Sequence, residues 1–357
     1  HIAFTAFREI NQVPDDDGTM PPTYTPAKAV ESMNNLVATM LNAGVAMARV
    51  PLRANYDQNM MMLADNVASI IGRGITQAAQ VAGKAAASVE KDGIKIVWVQ
   101  SAGSNKALEF LNAGSIDFGS TAGSAALVAK INGNPIKSIY VYSRPEWTAL
   151  VTAKDSKIAK VADLKGKRVA VTRGTDPHIF LVRALLDAGL TDKDITPVLL
   201  QHADGKAALI RGDVDAWAGL DPMMAQAEVE DGAKLFFRKP EANTWGILNV
   251  REQFLKDNPK IVQRVLAVYE EARKYSLANY AELKRGFIGV TKLPETVVDK
   301  QLKERTELTH NRIGAPQRES ILAAGLALQQ AGVIQPGVDV KATVDALIDD
   351  QVPLPTN

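Results

Sequence analysis

From Ile94 onward the chain alternates short β-branched segments with helical stretches, and this rhythm constrains the fold more than any other feature of the sequence. It predicts parallel or mixed sheets with helices on both faces, because consecutive parallel strands need a crossover connection. After residue 250 the pattern is almost entirely helical. The predicted strands span residues 94–99, 116–121, 136–142, 148–152, 168–172, 196–200, 214–220, 234–238 and 245–250. The sequence therefore predicts an α/β fold.

An internal repeat organises this α/β region. Residues 111–117 and 209–215 share the pattern Leu-x-x-Gly-x-(Ile/Val)-Asp. Each copy predicts a helix that ends on a glycine in the left-handed conformation and is followed by a buried strand. The repeat indicates two lobes of similar build, in which strand carboxyl ends and helix N-termini share one edge. Asp117 and Asp215 then hold equivalent structural positions and do not form an acid/base pair.

Composition limits the classes of function that are open to the chain. Its 357 residues correspond to about two domains at ~150 residues each. The 41 Lys+Arg and 40 Asp+Glu nearly cancel, which leaves no strongly basic field for nucleic acid or anionic lipid. The absence of cysteine excludes disulfides, thiolate metal sites and cysteine nucleophiles in this chain. No stretch supplies the ~20 apolar residues that a membrane-spanning helix needs.

Four turns of small and polar residues follow predicted strands, at residues 101–105, 120–124, 172–176 and 219–222. In open α/β sheets, ligands bind beyond the carboxyl ends of strands, where helix N-termini offer unpaired backbone amides. Amides and hydroxyl groups can hold an oxyanion such as a sulfonate without an arginine. Any one of these turns is equally well explained as a helix cap, whereas the four together favour a binding site.

Four aromatic residues lie close to the same turns: Phe118, Trp147, Trp217 and Trp245. They suit either the apolar body of a small organic ligand or the protein core. His178, in the first turn of a predicted helix, is either an anion donor or a structural residue. Asp221 precedes Pro222 and is either a partner for a ligand amine or a plain N-cap.

Motifs for catalysis and metal binding are missing from the sequence. It contains no Gly-x-Ser-x-Gly, no phosphate-binding P-loop and no Gly-x-Gly-x-x-Gly after a strand. The four histidines are scattered and lack the spacing of a zinc site. We therefore expect no catalytic residue, no metal and no cofactor.

Several segments resemble the periplasmic substrate-binding proteins of ABC importers, most closely the aliphatic sulfonate, taurine and nitrate branch. The resemblance rests on residues 94–99, 111–121, 162–171 and 207–221, and it covers about residues 92–357. It implies the two-lobed periplasmic-binding-protein fold of type II, with a mixed sheet flanked by helices in each lobe. One lobe would comprise residues 91–146 and 246–357, and the other residues 147–245.

The resemblance also implies a function and a set of contacts. The protein would be a receptor, not an enzyme, that captures a small anion such as an alkanesulfonate or taurine between the lobes. It would deliver the anion to an ABC permease and its ATPase, as an exported periplasmic monomer whose signal peptide is absent from this chain. The family's anion contacts fall on Ser101, Gly103, Ser104, Ser120, Thr121 and Thr175. His178, Trp217 and Asp221 occupy turns that would face the cleft without matching an invariant motif.

Two other functions are also compatible with the sequence. One is an enzyme on the same bilobal fold, which makes a pyrimidine or quinone precursor. Relatives of the pyrimidine type carry a cysteine-rich motif that this chain lacks. The other is a partner-binding protein dominated by its N-terminal helices.

The first 90 residues depart from the family pattern. Seven of the nine methionines lie there, and apolar residues at helical spacing predict helices over residues 25–44, 57–72 and 76–91. This segment is therefore expected to be an atypical helical addition. Alternatively, the segment supplies the family's opening strand, for which residues 52–56 and 2–7 are weak candidates.

Overall fold

The computed structural model describes residues 60–66, 95–144 and 146–354, which all belong to one compact unit spanning residues 56–357. The described residues form ten strands: β1 (Met60–Asn66), β2 (Lys95–Ser101), β3 (Phe118–Ala122), β4 (Ile136–Ser143), β5 (Leu150–Thr152), β6 (Arg168–Val171), β7 (Thr196–Leu199), β8 (Ala216–Ala218), β9 (Lys234–Phe237) and β10 (Gly246–Arg251).

The same residues form eleven α-helices: α1 (Ser104–Asn112), α2 (Gly123–Ile131), α3 (Asp176–Asp187), α4 (His202–Arg211), α5 (Met223–Asp231), α6 (Glu252–Asp257), α7 (Pro259–Ala278), α8 (Tyr280–Thr291), α9 (Glu295–Glu304), α10 (Ala315–Gln330) and α11 (Val340–Leu347). Short 3₁₀ turns at Val161–Leu164, Asp192–Asp194 and Pro240–Ala242 complete them. None of these helices is long and apolar enough to cross a membrane.

The strands form two five-stranded sheets with the same spatial order. The first sheet runs β2-β1-β3-β10-β4, and the second runs β7-β6-β8-β5-β9. In each sheet three neighbouring strands are parallel, and the fourth in the order is antiparallel to both of its neighbours. That antiparallel strand is β10 in the first sheet and β5 in the second, so the chain crosses between the lobes immediately before each. The predicted two-lobed α/β fold with mixed sheets is confirmed.

The strand β1 corrects the prediction for the N-terminal segment. Residues 60–66 were expected to lie in a helix, but they pair in parallel with β2 over all seven positions and with β3 at two. The segment begins with a continuous apolar run, Met-Met-Met-Leu-Ala. Such a run is typical of central strands in parallel sheets, and periodicity does not separate it from a buried helix. The predicted strands at 2–7 and 52–56 and the helices at 25–44 and 76–91 lie outside the described residues.

The internal repeat has equivalent places in the two lobes. Its first copy connects α1 to β3 and its second connects α4 to β8. Gly114 and Gly212 have φ angles of 67° and 80°, as the helix-ending glycines require. Asp117 forms an ion pair with Arg251, and Asp215 forms one with Arg168. Both aspartates are therefore structural, as predicted.

Helix α10 connects the two lobes. It packs on α2 of the first lobe and on α3 of the second. Its Ile321 belongs to the main hydrophobic core, which also includes Ile179 and Val182 of α3. The C-terminal helices therefore stabilise the arrangement of the lobes as well as the first sheet.

Candidate ligand-binding site

Helix N-termini gather at the carboxyl edges of both sheets. In the first sheet, α1 and α2 begin within three residues of the ends of β2 and β3. In the second sheet, α3 and α4 begin shortly after β6 and β7. Helix N-termini at such an edge attract anions wherever their first-turn amides lack protein partners.

In three of these helices the N-cap side chain accepts no hydrogen bond from a first-turn amide. The N-cap residues of α1, α3 and α4 are Gly103, Thr175 and Gln201, and none of the three accepts a capping hydrogen bond through its side chain. The Thr175 hydroxyl instead donates to the Thr172 carbonyl at 2.6 Å. These three N-cap side chains therefore do not occupy the first-turn amides, although the Lys106 and His178 amides donate to the Gly103 and Thr175 carbonyls.

The two lobes meet at the N-terminus of α1. His202 is the first residue of α4. A Cβ atom on Gly103 would lie 3.0 Å from Asn105 Oδ1 and 3.1 Å from His202 Nε2. A Cβ atom on Gly174 would lie 3.7 Å from Asn105 Cβ. The turn after β6 and the start of α4 thus face the start of α1 from the opposite lobe, and a side chain at residue 103 would crowd Asn105 and His202 where they come closest.

His202, which the sequence analysis missed, is the buried polar side chain at this point. It is 1% exposed, and its Nδ1 lies 3.1 Å from Thr172 Oγ1. Burial lowers the pKa of His202 to about 3, so the imidazole is neutral at pH 7. Its Nε2 has no hydrogen-bond partner in the part of the chain that the structure describes. A lone histidine that opens a helix after a weak strand carries no distinctive sequence signal.

The other predicted contacts of the first lobe lie at the same edge, but not all are available. Ser101, Ser104 and Ser120 are buried at the end of β2, at the start of α1 and within β3. Ser104 Oγ accepts from the Ala122 amide at 3.1 Å and ties α1 to β3. The Thr121 hydroxyl accepts from Asn249 Nδ2 at 2.8 Å and donates to the Ala122 carbonyl. Thr121 therefore serves the sheet, and we remove it from the site.

His178 lies in the first turn of α3 and is half-buried. Burial, helped by the nearby Arg173, lowers the pKa of His178 to about 4. Its ring is therefore neutral at pH 7 and offers an anion at most one neutral N–H group. The structure places it on the same helix terminus as Thr175, as the sequence predicted.

Trp217 does not form the predicted aromatic wall of a cleft. It is completely buried in the core of the second lobe, where a Cβ atom on Gly205 of α4 would lie 2.8 Å from its Nε1. The three other aromatic candidates are also buried. A large aromatic side chain buries about 150–250 Å² of surface, so packing in the protein core stabilises it strongly.

Asp221 pairs with the protein and not with a ligand amine. Its carboxylate accepts from Arg305 Nη1 at 3.1 and 3.2 Å and from the Ala225 amide at 2.8 Å. The same guanidinium also pairs with Glu228 of α5. Burial raises the pKa of Asp221 to about 6, although Arg305 opposes the shift. Because Arg305 follows α9, this ion pair connects the C-terminal helices to the second lobe, and we remove Asp221 from the site.

Asp176, also missed by the sequence analysis, connects the two lobes at the crossovers. One oxygen accepts from Ser124 Oγ of α2 and from Thr244 Oγ1 at 2.7 Å, and the other accepts from Trp147 Nε1 at 2.9 Å and the Thr244 amide at 3.0 Å. Burial raises the pKa of Asp176. A protein carboxylate thus occupies the N-terminus of α2, and the candidate site is reduced to the N-termini of α1, α3 and α4.

Within the described residues, no group of three or more potential metal ligands of the His, Cys, Asp or Glu type is close enough to hold a metal ion.

Comparisons with known proteins place the chain in a family. The family model described as NMT1/THI5 like matches residues 89–282, which is more than half of the chain. An aliphatic sulfonates-binding protein of Escherichia coli (strain K12) is 33% identical over 223 residues, 62% of this chain and 70% of that protein.

Two further relatives are similar in different ways. A 4-amino-5-hydroxymethyl-2-methylpyrimidine phosphate synthase of Aspergillus parasiticus is 26% identical over 234 residues, 61% of this chain and 68% of that enzyme. The alkanesulfonate-binding protein SsuA of Xanthomonas axonopodis pv. citri, solved with MOPS, shares the fold with a TM-score of 0.72 at 24% identity, over 83% of this chain and 99% of its own. The chain therefore belongs to the NMT1/THI5-like family, and within it is similar to the periplasmic binding proteins for aliphatic sulfonates.

Proposed function

We propose that this protein is the receptor of an ABC importer and captures a small organic sulfonate or related oxyanion between its lobes. The observation that carries the proposal is the meeting of the α1 and α4 N-termini at Gly103 and His202, because a ligand bound there contacts both lobes at once. The identity to an aliphatic sulfonates-binding protein supports the same ligand class. In this proposal the protein acts in the periplasm as a monomer, delivers its ligand to the permease and its ATPase, and performs no chemistry.

The proposed lobes, residues 91–146 with 246–357 and residues 147–245, close around the ligand at the two crossovers. A ligand favours closure only when its contacts differ between the open and closed states. An anion held by α1 of one lobe and by α3 and α4 of the other meets this condition. The first-turn amides bind the oxyanion, while Ser101, Ser104, Ser120 and His178 line the same edges.

A ligand titration of the native chain tests the receptor function. Thermal unfolding is followed with methanesulfonate, propanesulfonate, 2-aminoethanesulfonate, sulfate and nitrate. We expect at least one sulfonate to stabilise the protein, by about 2.7 kcal/mol when its concentration is 100 times its Kd. If no sulfonate raises the Tm, the proposal is wrong.

The location of the site is tested by Gly103→Val. The new side chain would occupy the point where Asn105 and His202 converge, so we expect the sulfonate Kd to rise at least about tenfold. Gly337→Ala is the matched control, since nothing lies within 4 Å of a Cβ atom there. Equal affinity of Gly103→Val and the native chain would place the site elsewhere.

The enzymatic alternative has one specific argument, the similarity to a pyrimidine phosphate synthase. It predicts that the chain forms the pyrimidine phosphate for which that enzyme is named. Incubation of the purified chain with candidate small-molecule substrates, followed by mass spectrometry of the products, distinguishes the two functions, because a receptor returns its ligand unchanged.

A further inference from the structure

We propose that this site selects organic anions that carry a hydrogen-bond donor, such as an ammonium or hydroxyl group, beside their acidic group, and that His202 Nε2 accepts from that donor. The inference rests on the proposed function and adds to it the chemical class of the ligand. It names His202 as the residue that determines specificity.

The hydrogen bonds around His202 determine which ring nitrogen carries the proton. Thr172 Oγ1 has a single hydrogen and donates it to the Leu200 carbonyl at 2.7 Å. Toward His202 Nδ1, 3.1 Å away, the same oxygen can therefore only accept. Nδ1 carries the proton, and in a neutral ring Nε2 is left as a bare acceptor.

A second acceptor lies at the same point. Asn105 Oδ1 is buried and, like His202 Nε2, has no partner among the described residues. Both atoms lie within 3.1 Å of the position that a Cβ atom on Gly103 would take. One comes from each lobe, so a donor placed between them would connect the lobes directly. Other buried polar atoms of the described residues also lack a partner, but these two acceptors face each other across the lobes beside one glycine, and that placement is what indicates a bound group.

A plain alkanesulfonate does not satisfy these two atoms. Its three oxygens carry no proton at neutral pH and can only accept, so they suit the amides of the helix N-termini and are repelled by Nε2 and Oδ1. Replacing the methyl end of propanesulfonate by an ammonium or hydroxyl group adds the missing donor at almost constant volume. Burying an unsatisfied acceptor against a methyl group is unfavourable, whereas a donor in its place forms a hydrogen bond.

Isothermal titration calorimetry of the full chain with three nearly isosteric ligands tests the selection: 1-propanesulfonate, 2-hydroxyethanesulfonate and 2-aminoethanesulfonate. We expect at least one of the two donor ligands to bind about 10- to 100-fold more tightly than propanesulfonate. Their mutual order shows whether an ammonium or a hydroxyl group is preferred. Equal or tighter binding of propanesulfonate overturns the selection but not the receptor function, whereas failure of all three to bind overturns both.

Two variants separate His202 from the rest of the site. His202→Leu removes the acceptor, and we expect the preference for donor ligands to fall to within about threefold. His202→Gln retains an acceptor oxygen and should keep part of the preference, which also controls for misfolding of the leucine variant. An unchanged preference in both variants overturns the assignment.

Nitrogen NMR of the ¹⁵N-histidine-labelled protein gives a readout that is independent of affinity. We expect Nδ1 of His202 to carry the proton in the free protein, and the Nε2 resonance to shift as the donor ligand binds while the ring stays neutral. A ring that becomes doubly protonated when the ligand binds would overturn the proposal, because His202 would then donate to the anion.

Discussion

At the scale of single residues, two buried groups give the stability of the protein opposite dependences on pH. Burial lowers the pKa of His202 to about 3, against 6.5 in an unfolded chain, so below pH 6.5 the unfolded state binds a proton that the folded state does not. Burial raises the pKa of Asp221 to about 6, so between about pH 6 and 4 the folded state binds the extra proton. Lowering the pH through this range therefore destabilises the fold through His202 and stabilises it through Asp221.

The contribution of His202 can be isolated with His202→Gln. Because the folded-state pKa is depressed, the stability that this histidine contributes is present above pH 6.5 and is lost as the pH falls toward 3. We expect the native chain to lose about 2 kcal/mol relative to His202→Gln between pH 7 and pH 5. Urea unfolding of both proteins at pH 7, 6 and 5 measures the difference, and parallel stability curves would contradict the prediction.

At the scale of elements, helix α10 shows how packing overrides propensity. Gly325 lies inside this helix, where alanine normally stabilises by about 1 kcal/mol. A Cβ atom at Gly325, however, would lie 2.6 Å from both Leu127 Cδ2 of α2 and Val340 Cγ1 of α11. The glycine allows three helices to approach closely, and no pattern within α10 itself reveals it.

The sign of a Gly325→Ala substitution tests this packing. We expect the variant to be destabilised by about 1–3 kcal/mol, because the new methyl group overpacks the contact. Gly289→Ala, at an exposed position inside α8, is the control and should be neutral or slightly stabilising. Stabilisation of both variants in chemical denaturation would show that α10 has room for the methyl group.

At the scale of the whole molecule, the lobes are joined by a buried carboxylate. Asp176 begins α3 of the second lobe and accepts from Ser124 of the first lobe and from Trp147 and Thr244 at the two crossovers. A carboxylate accepts every one of these bonds with its two oxygens, whereas an amide would direct an N–H group at one or more donors. One side chain therefore connects α3 to α2 and to both crossovers.

The Asp176→Asn variant tests that role. We expect it to be destabilised by about 2–4 kcal/mol, because it leaves a buried donor unsatisfied in a connected network. Asp187→Asn, at the exposed end of the same helix, should change the free energy of unfolding by less than about 0.5 kcal/mol. Similar denaturation midpoints for the two variants would show that Asp176 is dispensable to the fold.

What the sequence determined by itself is the α/β architecture and the sheet edge at which helix N-termini gather. The alternation after Ile94 and the repeated glycine turn depend on local patterns, and both correspond to the strands and helices of the structure. The repeat at 111–117 and 209–215 even located equivalent connections in two sheets of the same order. Such features can be predicted because strand period, helix ends and turn glycines are set by neighbouring residues.

Only the tertiary structure decided which side chains serve the site. Thr121 lies in β3, Trp217 in β8 and Asp221 in the turn that follows. Thr121 accepts from the Asn249 side chain, Trp217 packs in the core of the second lobe, and Asp221 pairs with Arg305. His202 and Asp176 looked like ordinary first residues of helices, and their roles arise from partners in distant parts of the chain. The strand at residues 60–66 was hidden because its continuous apolar run lacks the alternation by which a strand is recognised, and only its pairing with β2 and β3 identifies it. Contacts between residues far apart in sequence leave no local period, so they become visible only once the chain has folded.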